Sequence, residues 1–270
     1  MSVLQTTKYE VKHPILKQFI KYFWLMRSSN QIEINHKLLP VGNIDLVLNF
    51  SEPIHYTSIG KTELIPDKFH FNGIREEYCI INQQGKFDIW GISFYPAGLY
   101  PFFKIPINEF TGKTINLDLV AKRFVLEIEE KMSIAVSDEQ KLNILEKELL
   151  ELIYADFIPD NAILNIIDNF YTNMENISIS NFCDKFGINL RKLERIFNKY
   201  IGVSPKVVHK LARYQGICNQ LIHQDNVDLT FEAYQSNYYD QTHFLKDFKS
   251  FTGCSPTQFM NEKRAVKQII

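Results

Sequence analysis

A chain of 270 residues, 45% of them hydrophobic, has the material for a packed core and is too long for one small helical unit, so two domains are expected. Its 30 Lys+Arg against 31 Asp+Glu argue for no particular partner, although Lys and Arg slightly outnumber the acids from Asp160 onward and the reverse holds before it. The four cysteines, Cys79, Cys183, Cys218 and Cys254, form no C-x-x-C and sit beside no His at ligand spacing, which favours free thiols in a reducing compartment over disulfides or a metal.

Met1 to Tyr9 lacks the apolar core of a signal peptide, and no apolar run reaches the roughly 20 residues of a membrane span. The expectation is a soluble cytoplasmic protein with no membrane partner. The first 115 residues read as β-rich. Lys21–Met26 is aromatic and compact, as strands prefer. Ile44–Phe50 follows the turn signal Pro40-Val41-Gly42-Asn43. Tyr78–Ile81 ends at the polar run Asn82–Gly85, and Phe87–Phe94 stops before Pro96. Short strands between turns suggest a small barrel or sandwich.

Pro96–Pro106 packs three prolines and a glycine among large apolar residues. It reads as a corner packing the sheet against the next helix, or as one wall of an effector pocket. Asp45, an acid inside an apolar strand, faces outward or reads a ligand. Should this region hold an effector, Trp24, Asp45, Phe94 and Tyr100 are its candidate contacts. His13, His36, His55 and His70 are scattered, and no nucleophile elbow, phosphate loop or dinucleotide fingerprint is present. No catalytic residue, metal ligand or cofactor is expected, so the protein is not read as an enzyme.

Two amphipathic helices follow. Leu117, Val120, Phe124, Leu126 and Ile128 mark the first. Ser137-Asp138-Glu139-Gln140 fits a capping box for the second, whose stripe is Leu142, Ile144, Leu145, Leu149, Leu150 and Ile153. That stripe covers the sheet of its own chain or pairs with another copy in a homodimer. Ile158-Pro159-Asp160-Asn161 breaks the pattern, dividing the chain into 1–157 and 158–270. Asp160 or Asn161 then caps a helix carrying Ala162, Ile163, Ile166, Ile167 and Phe170 on one face.

From here one unit is written twice. Leu193-Glu194-Arg195-Ile196-Phe197 precedes Gly202-Val203-Ser204-Pro205, and Phe244-Leu245-Lys246-Asp247-Phe248 precedes Gly253-Cys254-Ser255-Pro256. The first copy has a short helix, Asn181–Phe186, a stop at Gly187 and a cap at Asn189. Leu193, Ile196, Phe197 and Tyr200 then line the buried side of a second helix. That is a helix-turn-helix. A long helix, Pro205–His223, bridges to a second unit expected from Leu229, with its turn at Asn237 and its cap at Asp240. The fold class is therefore α+β: a β-rich N-terminal barrel or sandwich with flanking helices, then an all-α domain of two helix-turn-helix units joined by a long helix.

Over about 100 residues the C-terminal region resembles the AraC-type DNA-binding domain. Gly187-Ile188-Asn189, the two copies above, Ala233 and Tyr238–Phe244 carry the resemblance. The N-terminal region resembles a poorly characterised sensor-like domain through His13-Pro14, Tyr22-Phe23-Trp24, Leu39–Gly42, Phe94–Gly98 and Asn116-Leu117, which implies no known ligand. Asn237 stands where that family usually has Gly, Glu232 where it has an apolar residue, Phe231 where it has a polar one and Cys183 where it has Ala.

The resemblance implies that each recognition helix enters the major groove of double-stranded DNA, about one turn or roughly 10 base pairs apart. Arg191, Glu194 and Arg195 in the first, and Gln241, Thr242 and Lys246 in the second, are the candidates for base edges. Lys192, Lys199 and Lys249 suit phosphates. His243 suits packing, a phosphate or a base. The function expected is sequence-specific transcription regulation, with RNA polymerase a partner if the protein is an activator. Control comes from a small-molecule effector or from dimerisation through the N-terminal region. Alternatively that region is an assembly module without a ligand. A fused enzyme, as in DNA-repair methyltransferases with similar tails, is disfavoured because no Pro-Cys-His-type nucleophile site is present.

Overall fold

A computed structural model describes residues 4–173, 178–223 and 241–266. Nine strands come first: β1 Gln5–Tyr9, β2 Ile20–Arg27, β3 Ile32–Leu38, β4 Asp45–Asn49, β5 His55–Ser58, β6 Phe69–Asn72, β7 Cys79–Gly85, β8 Asp88–Phe94 and β9 Thr114–Asn116. They form two antiparallel sheets, one of six strands in the order β1-β2-β8-β4-β6-β9 and one of three in the order β3-β7-β5. The described strands close no barrel, so the architecture is two layers of sheet.

Alternation along the strands explains the layering. Phe23, Leu25, Leu46, Leu48, Trp90 and Ile92 point to one face of the large sheet and join the main core. Their neighbours Trp24, Met26, Val47 and Ile89 point to the other face and meet Ile34, Ile54, Tyr56 and Phe87 in a smaller cluster between the sheets. The β7 strand does not end at Ile81. It runs through the polar residues to Gly85, because Gln83 is buried and donates to the Glu52 carbonyl at 2.6 Å.

The main core is closed by helices. Pro96–Pro106 forms a corner containing α1, Tyr100–Phe103, with Phe102 edge-on to Phe19 and Phe94, and Phe103 edge-on to Phe71. In α2, Asp118–Ile134, the buried side chains are Phe124, Ile128 and Met132; Leu126 points to solvent instead, because the buried stripe steps by four. Ala121 leaves helical geometry and kinks α2 near its start. In α3, Asp138–Leu152, Ser137 accepts from the Gln140 amide at 3.2 Å, and the Gln140 side chain reaches back to the Val136 amide at 2.9 Å. Its stripe covers this chain's own core through Leu142, Leu145 and Leu149. The buried Glu148 meets Lys131 of α2 at 2.8 Å. Arg27 bridges Asp88 and Asp138, and Lys141 meets Asp88 at 3.1 Å, tying α3 to the sheet.

The helical region holds α4 Asn161–Asn173, α5 Ile179–Phe186, α6 Leu190–Tyr200, α7 Pro205–His223, α8 Gln241–Thr252 and α9 Pro256–Val266. Asp160 caps α4, accepting from the Ile163 amide at 2.8 Å. Phe170 of α4 packs on Phe182 and Phe197, so α4 shares the core of the first helical unit. Tyr214 of α7 packs on Phe248 and Phe251 of α8, and Phe248 meets Phe259 of α9. No helix among the described residues is long and apolar enough to cross a membrane.

The two halves meet at both Gly-x-Ser-Pro turns. A Cβ on Gly202 would lie 2.9 Å from Ile107, and the Thr111 hydroxyl donates to the Gly202 carbonyl. A Cβ on Gly253 would lie 2.3 Å from the Tyr78 ring. Glycine is thus required twice over at these turns, since both also have positive φ, +97° and +74°.

Candidate nucleic-acid interface and inter-sheet cavity

The candidate recognition helix of the first unit, α6, is set by local chemistry. Ser178 caps α5 by accepting from the Asn181 amide, so the helix begins two residues before Asn181. Gly187 ends it in the left-handed conformation, and the Ile188 amide returns to the Cys183 carbonyl at 3.0 Å. Asn189 then caps α6, accepting from the Lys192 amide at 2.8 Å. With Leu193, Ile196, Phe197 and Tyr200 inward, the side chains left outside are Leu190 at the first position and Arg191, Lys192, Glu194, Arg195, Asn198 and Lys199. The helix therefore presents cations, one acid and amide hydrogen bonding along one exposed face.

Lys199 differs from its neighbours. Its ammonium lies 5.2 Å from the Tyr100 ring centroid and 4.9 Å from that of Tyr200, and hydrogen bonds to both tyrosines raise its pKa. Tyr100 and Tyr200 are edge-on at 4.7 Å. Lys199, expected on a phosphate, and Tyr100, expected in an effector pocket, thus meet at the joint between the two halves. Tertiary packing brought together residues that sequence reasoning had assigned to separate sites.

In α8, Phe244 and Phe248 are buried while Thr242, His243, Leu245, Lys246 and Lys249 are exposed. Asp247 lies 3.4 Å from Lys210 of α7 and 3.8 Å from His243. Residues 224–240, with the expected start at Leu229, the turn at Asn237, the cap at Asp240 and the departures at Phe231 and Glu232, lie outside the described residues. Of Gln241, only its place at the start of α8 is described.

A cavity of about 490 Å³ lies between the two sheets. Trp24, Met26, Ile34, Val47, Phe87 and Ile89 give it an apolar wall. Trp24 can lie flat across the sheet because its strand partner is Gly91; a Cβ there would come within 1.9 Å of the indole. At the polar side stand Lys8, Asn43, Asp45, Tyr56, Asn72 and Arg75. Asp45 pairs across strands with Asn72 and Ser93. Its Oδ1 accepts from the Ser93 hydroxyl at 2.7 Å and from Asn43 Nδ2 at 2.8 Å, and desolvation raises its pKa above the ordinary carboxylate value. Asn72 Nδ2 donates to the Tyr56 hydroxyl at 3.0 Å, which also meets His70 Nε2 at 2.9 Å. Burial lowers the His70 pKa to about 4 and raises that of Tyr56.

Of the four candidate effector contacts, Trp24 and Asp45 line this cavity. Phe94 does not: it packs in the main core against Phe102, on the opposite face of the sheet. Tyr100 lies at the joint described above. Tyr56, Asn72 and Arg75 were missed because they sit on two strands of four residues and in a turn, too short for a periodic signal. Among the described residues no group of three His, Cys, Asp or Glu could hold a metal, and all four cysteines are free thiols.

Residues 182–262 match the family described as a helix-turn-helix domain, and residues 12–116 match the one described as a domain of unknown function (DUF6597). No curated protein matches the chain. Among solved structures, ToxT from Vibrio cholerae is similar with a TM-score of 0.46 and 13% identity, covering 96% of this chain and 98% of that one. Unsaturated fatty acid bound ToxT from the same organism is similar with a TM-score of 0.41 and 11% identity, covering 87% and 96%. The AraC-like transcriptional activator CuxR is similar with a TM-score of 0.28 and 12% identity, covering 87% and 91%.

Proposed function

We propose that this chain, whose residues 182–262 match the helix-turn-helix family, is a sequence-specific transcription regulator of the AraC type whose DNA affinity is set by a small molecule in the inter-sheet cavity. The observation that carries the DNA reading is α6. It is capped at Asn189, buried on one side and lined on the other by Arg191, Lys192, Glu194 and Arg195. In this reading Arg191 and Arg195 reach guanine edges, Glu194 accepts from cytosine, and Lys192 holds a phosphate. On α8, Thr242 and Lys246 take the places of Arg191 and Arg195, and Lys249, at the place of Asn198, holds a phosphate. The natural division of labour is residues 1–157 for sensing and 158–270 for DNA.

Control by the cavity is supported by one shared segment. Asn72, Gly73 and Arg75 line the cavity, and Tyr78, a few residues on, rests on Gly253. Arg75 also donates to Thr114 at 2.5 Å, and the Gly73 amide donates to the Lys113 carbonyl at 3.0 Å. That second strand of chain begins at Thr111, which holds Gly202. Filling the cavity therefore pushes on the two segments that grip the two helix-turn-helix units. The coupling has physical content only if the ligand favours one placement of those units over another.

Fluorescence anisotropy on the protein's own upstream DNA, against scrambled DNA of equal length, tests the first half. A preference of about a thousandfold is expected. Equal, steeply salt-dependent binding to both would remove sequence specificity. Repeating the titration with a broad metabolite set tests the second half, since the effector must shift the affinity.

The alternative, an assembly module without a ligand, has its own observation. Leu119, Leu126 and Ile134 are 75, 58 and 75% exposed along α2. Sedimentation showing a dimer that Leu126→Glu breaks, with no metabolite affecting DNA affinity, would favour it.

A further inference from the structure

The cavity holds an acid and a base that do not meet. Asp45 and Arg75 both line it, and both charges act on the Tyr56 hydroxyl, yet no ion pair joins them or pairs either with another described residue. Asp45 Oδ1 is saturated by Ser93 and Asn43, whereas Oδ2 has no hydrogen-bond donor among the described residues. The guanidinium of Arg75 donates to Asn72 at 3.3 Å and to Thr114, and its buried Nε has no acceptor. Lys8, whose ammonium lies 4.7 Å from the Tyr22 ring centroid, adds a second cation to the rim.

Lys8 is exposed, but Asp45 and Arg75 are partly withdrawn from water, which is costly unless something answers their charges. A cationic ligand would answer Asp45 but be repelled by Arg75 and Lys8. An anionic ligand would answer the cations and leave Asp45 unanswered. A molecule carrying both charges, with an apolar body for the wall of Trp24, Met26, Phe87 and Ile89, answers both Asp45 and Arg75. The volume, about 490 Å³, lies within the range of small-molecule sites, roughly 300–1,000 Å³.

We propose that the cavity binds a small zwitterion with an apolar body, of the class of the hydrophobic amino acids, its ammonium on Asp45 Oδ2 and its carboxylate on Arg75. This rests on the effector reading above and deepens it. The two fixed charges then set the ligand's orientation, and the apolar wall sets which side chain fits.

The test uses matched probes on the full chain. Leucine, methionine, phenylalanine and tryptophan are each compared with the amine lacking the carboxylate and the acid lacking the amine, by calorimetry and thermal shift. At least one amino acid is expected to bind about tenfold or more tighter than both of its matched partners, the loss of one charge-assisted hydrogen-bonded contact. Asp45→Asn should bring the amino acid down to the affinity of its matched acid while leaving that acid unchanged. Arg75→Gln should do the reverse, bringing it down to the amine. Binding of an acid or an amine as tight as that of its amino acid would overturn the proposal, as would failure of all four amino acids on the wild-type chain. The wild-type comparison decides the matter even if a variant fails to fold. The metabolite set separates the two levels: a hit of another charge type sinks the zwitterion and leaves the effector reading standing, and silence across every class sinks both.

Discussion

Arg195 is exposed on α6, three residues beyond the amide that Asn189 caps, where a guanidinium can read a guanine edge. Arg195→Ala should cost about 1–3 kcal/mol on the cognate site and relax specificity at one base position, which a panel of single-base operator variants would reveal. Equal loss on every sequence would make it a phosphate contact. A second residue-scale prediction concerns His70. Its folded pKa of about 4 lies below the ordinary value near 6.5, so between those pH values the unfolded chain binds the extra proton. Its contribution to stability is complete above pH 6.5 and is lost as pH falls through 4, by about 3 kcal/mol in all. Urea melts across that window should show the slope, and His70→Gln should flatten it. Asp45 was conspicuous in the sequence as an acid among apolar residues, but its direction was not. Which face of a strand points into a cavity depends on what the opposite sheet leaves empty.

At the scale of elements, the helices of the first helix-turn-helix unit follow from neighbours in sequence. Ser178, Gly187 and Asn189 start, stop and restart the chain through hydrogen bonds spanning three to five residues. Asn189→Ala should therefore cost about 1 kcal/mol in thermal or urea unfolding, and Asn189→Ser should retain nearly all of it. A loss unchanged by serine would mean that the amide acts elsewhere. The strands are the contrast. β2, β4 and β8 were legible because their inward residues are aromatic or branched. β1, β5 and β9 carry no such run, while in β3 Ile32 and Ile34 alternate among polar residues and in β6 Phe69 and Phe71 alternate over only four residues. Gln5–Tyr9 is exposed along most of its length and is a strand because β2 pairs with it from Arg27 to Phe23. The polar end of β7 is held the same way, by Gln83 turning inward to backbone carbonyl and Asn49.

For the molecule as a whole, the repeated Gly-x-Ser-Pro turn has a second meaning that the repeat alone did not give. Each glycine is where the N-terminal half touches one helix-turn-helix unit. Gly253→Ala should destabilise through its positive φ, about 1–2 kcal/mol, and further through collision with Tyr78. Combining it with Tyr78→Ala should relieve only the second part, so the two changes should couple by about 0.5 kcal/mol or more in a double-mutant cycle. Strict additivity would show that Tyr78 does not rest on that turn in solution.

What the sequence by itself determined is the C-terminal region: two copies of one unit, the cap and stop residues of the first, and the long helix Pro205–His223 between them. Those features are written in contacts a few residues apart, so no knowledge of the rest of the chain is needed to read them. What only the tertiary structure decided is the cavity and the joint. Trp24, Asp45, Tyr56, Asn72 and Arg75 come from four strands and a turn, and sheet pairing alone makes them neighbours. Lys199, still exposed on α6, meets Tyr100 in the same way, beside a ring about a hundred residues distant in the chain. Long-range packing has no local signature, because the side chains it unites obey different strands' alternation and share no spacing.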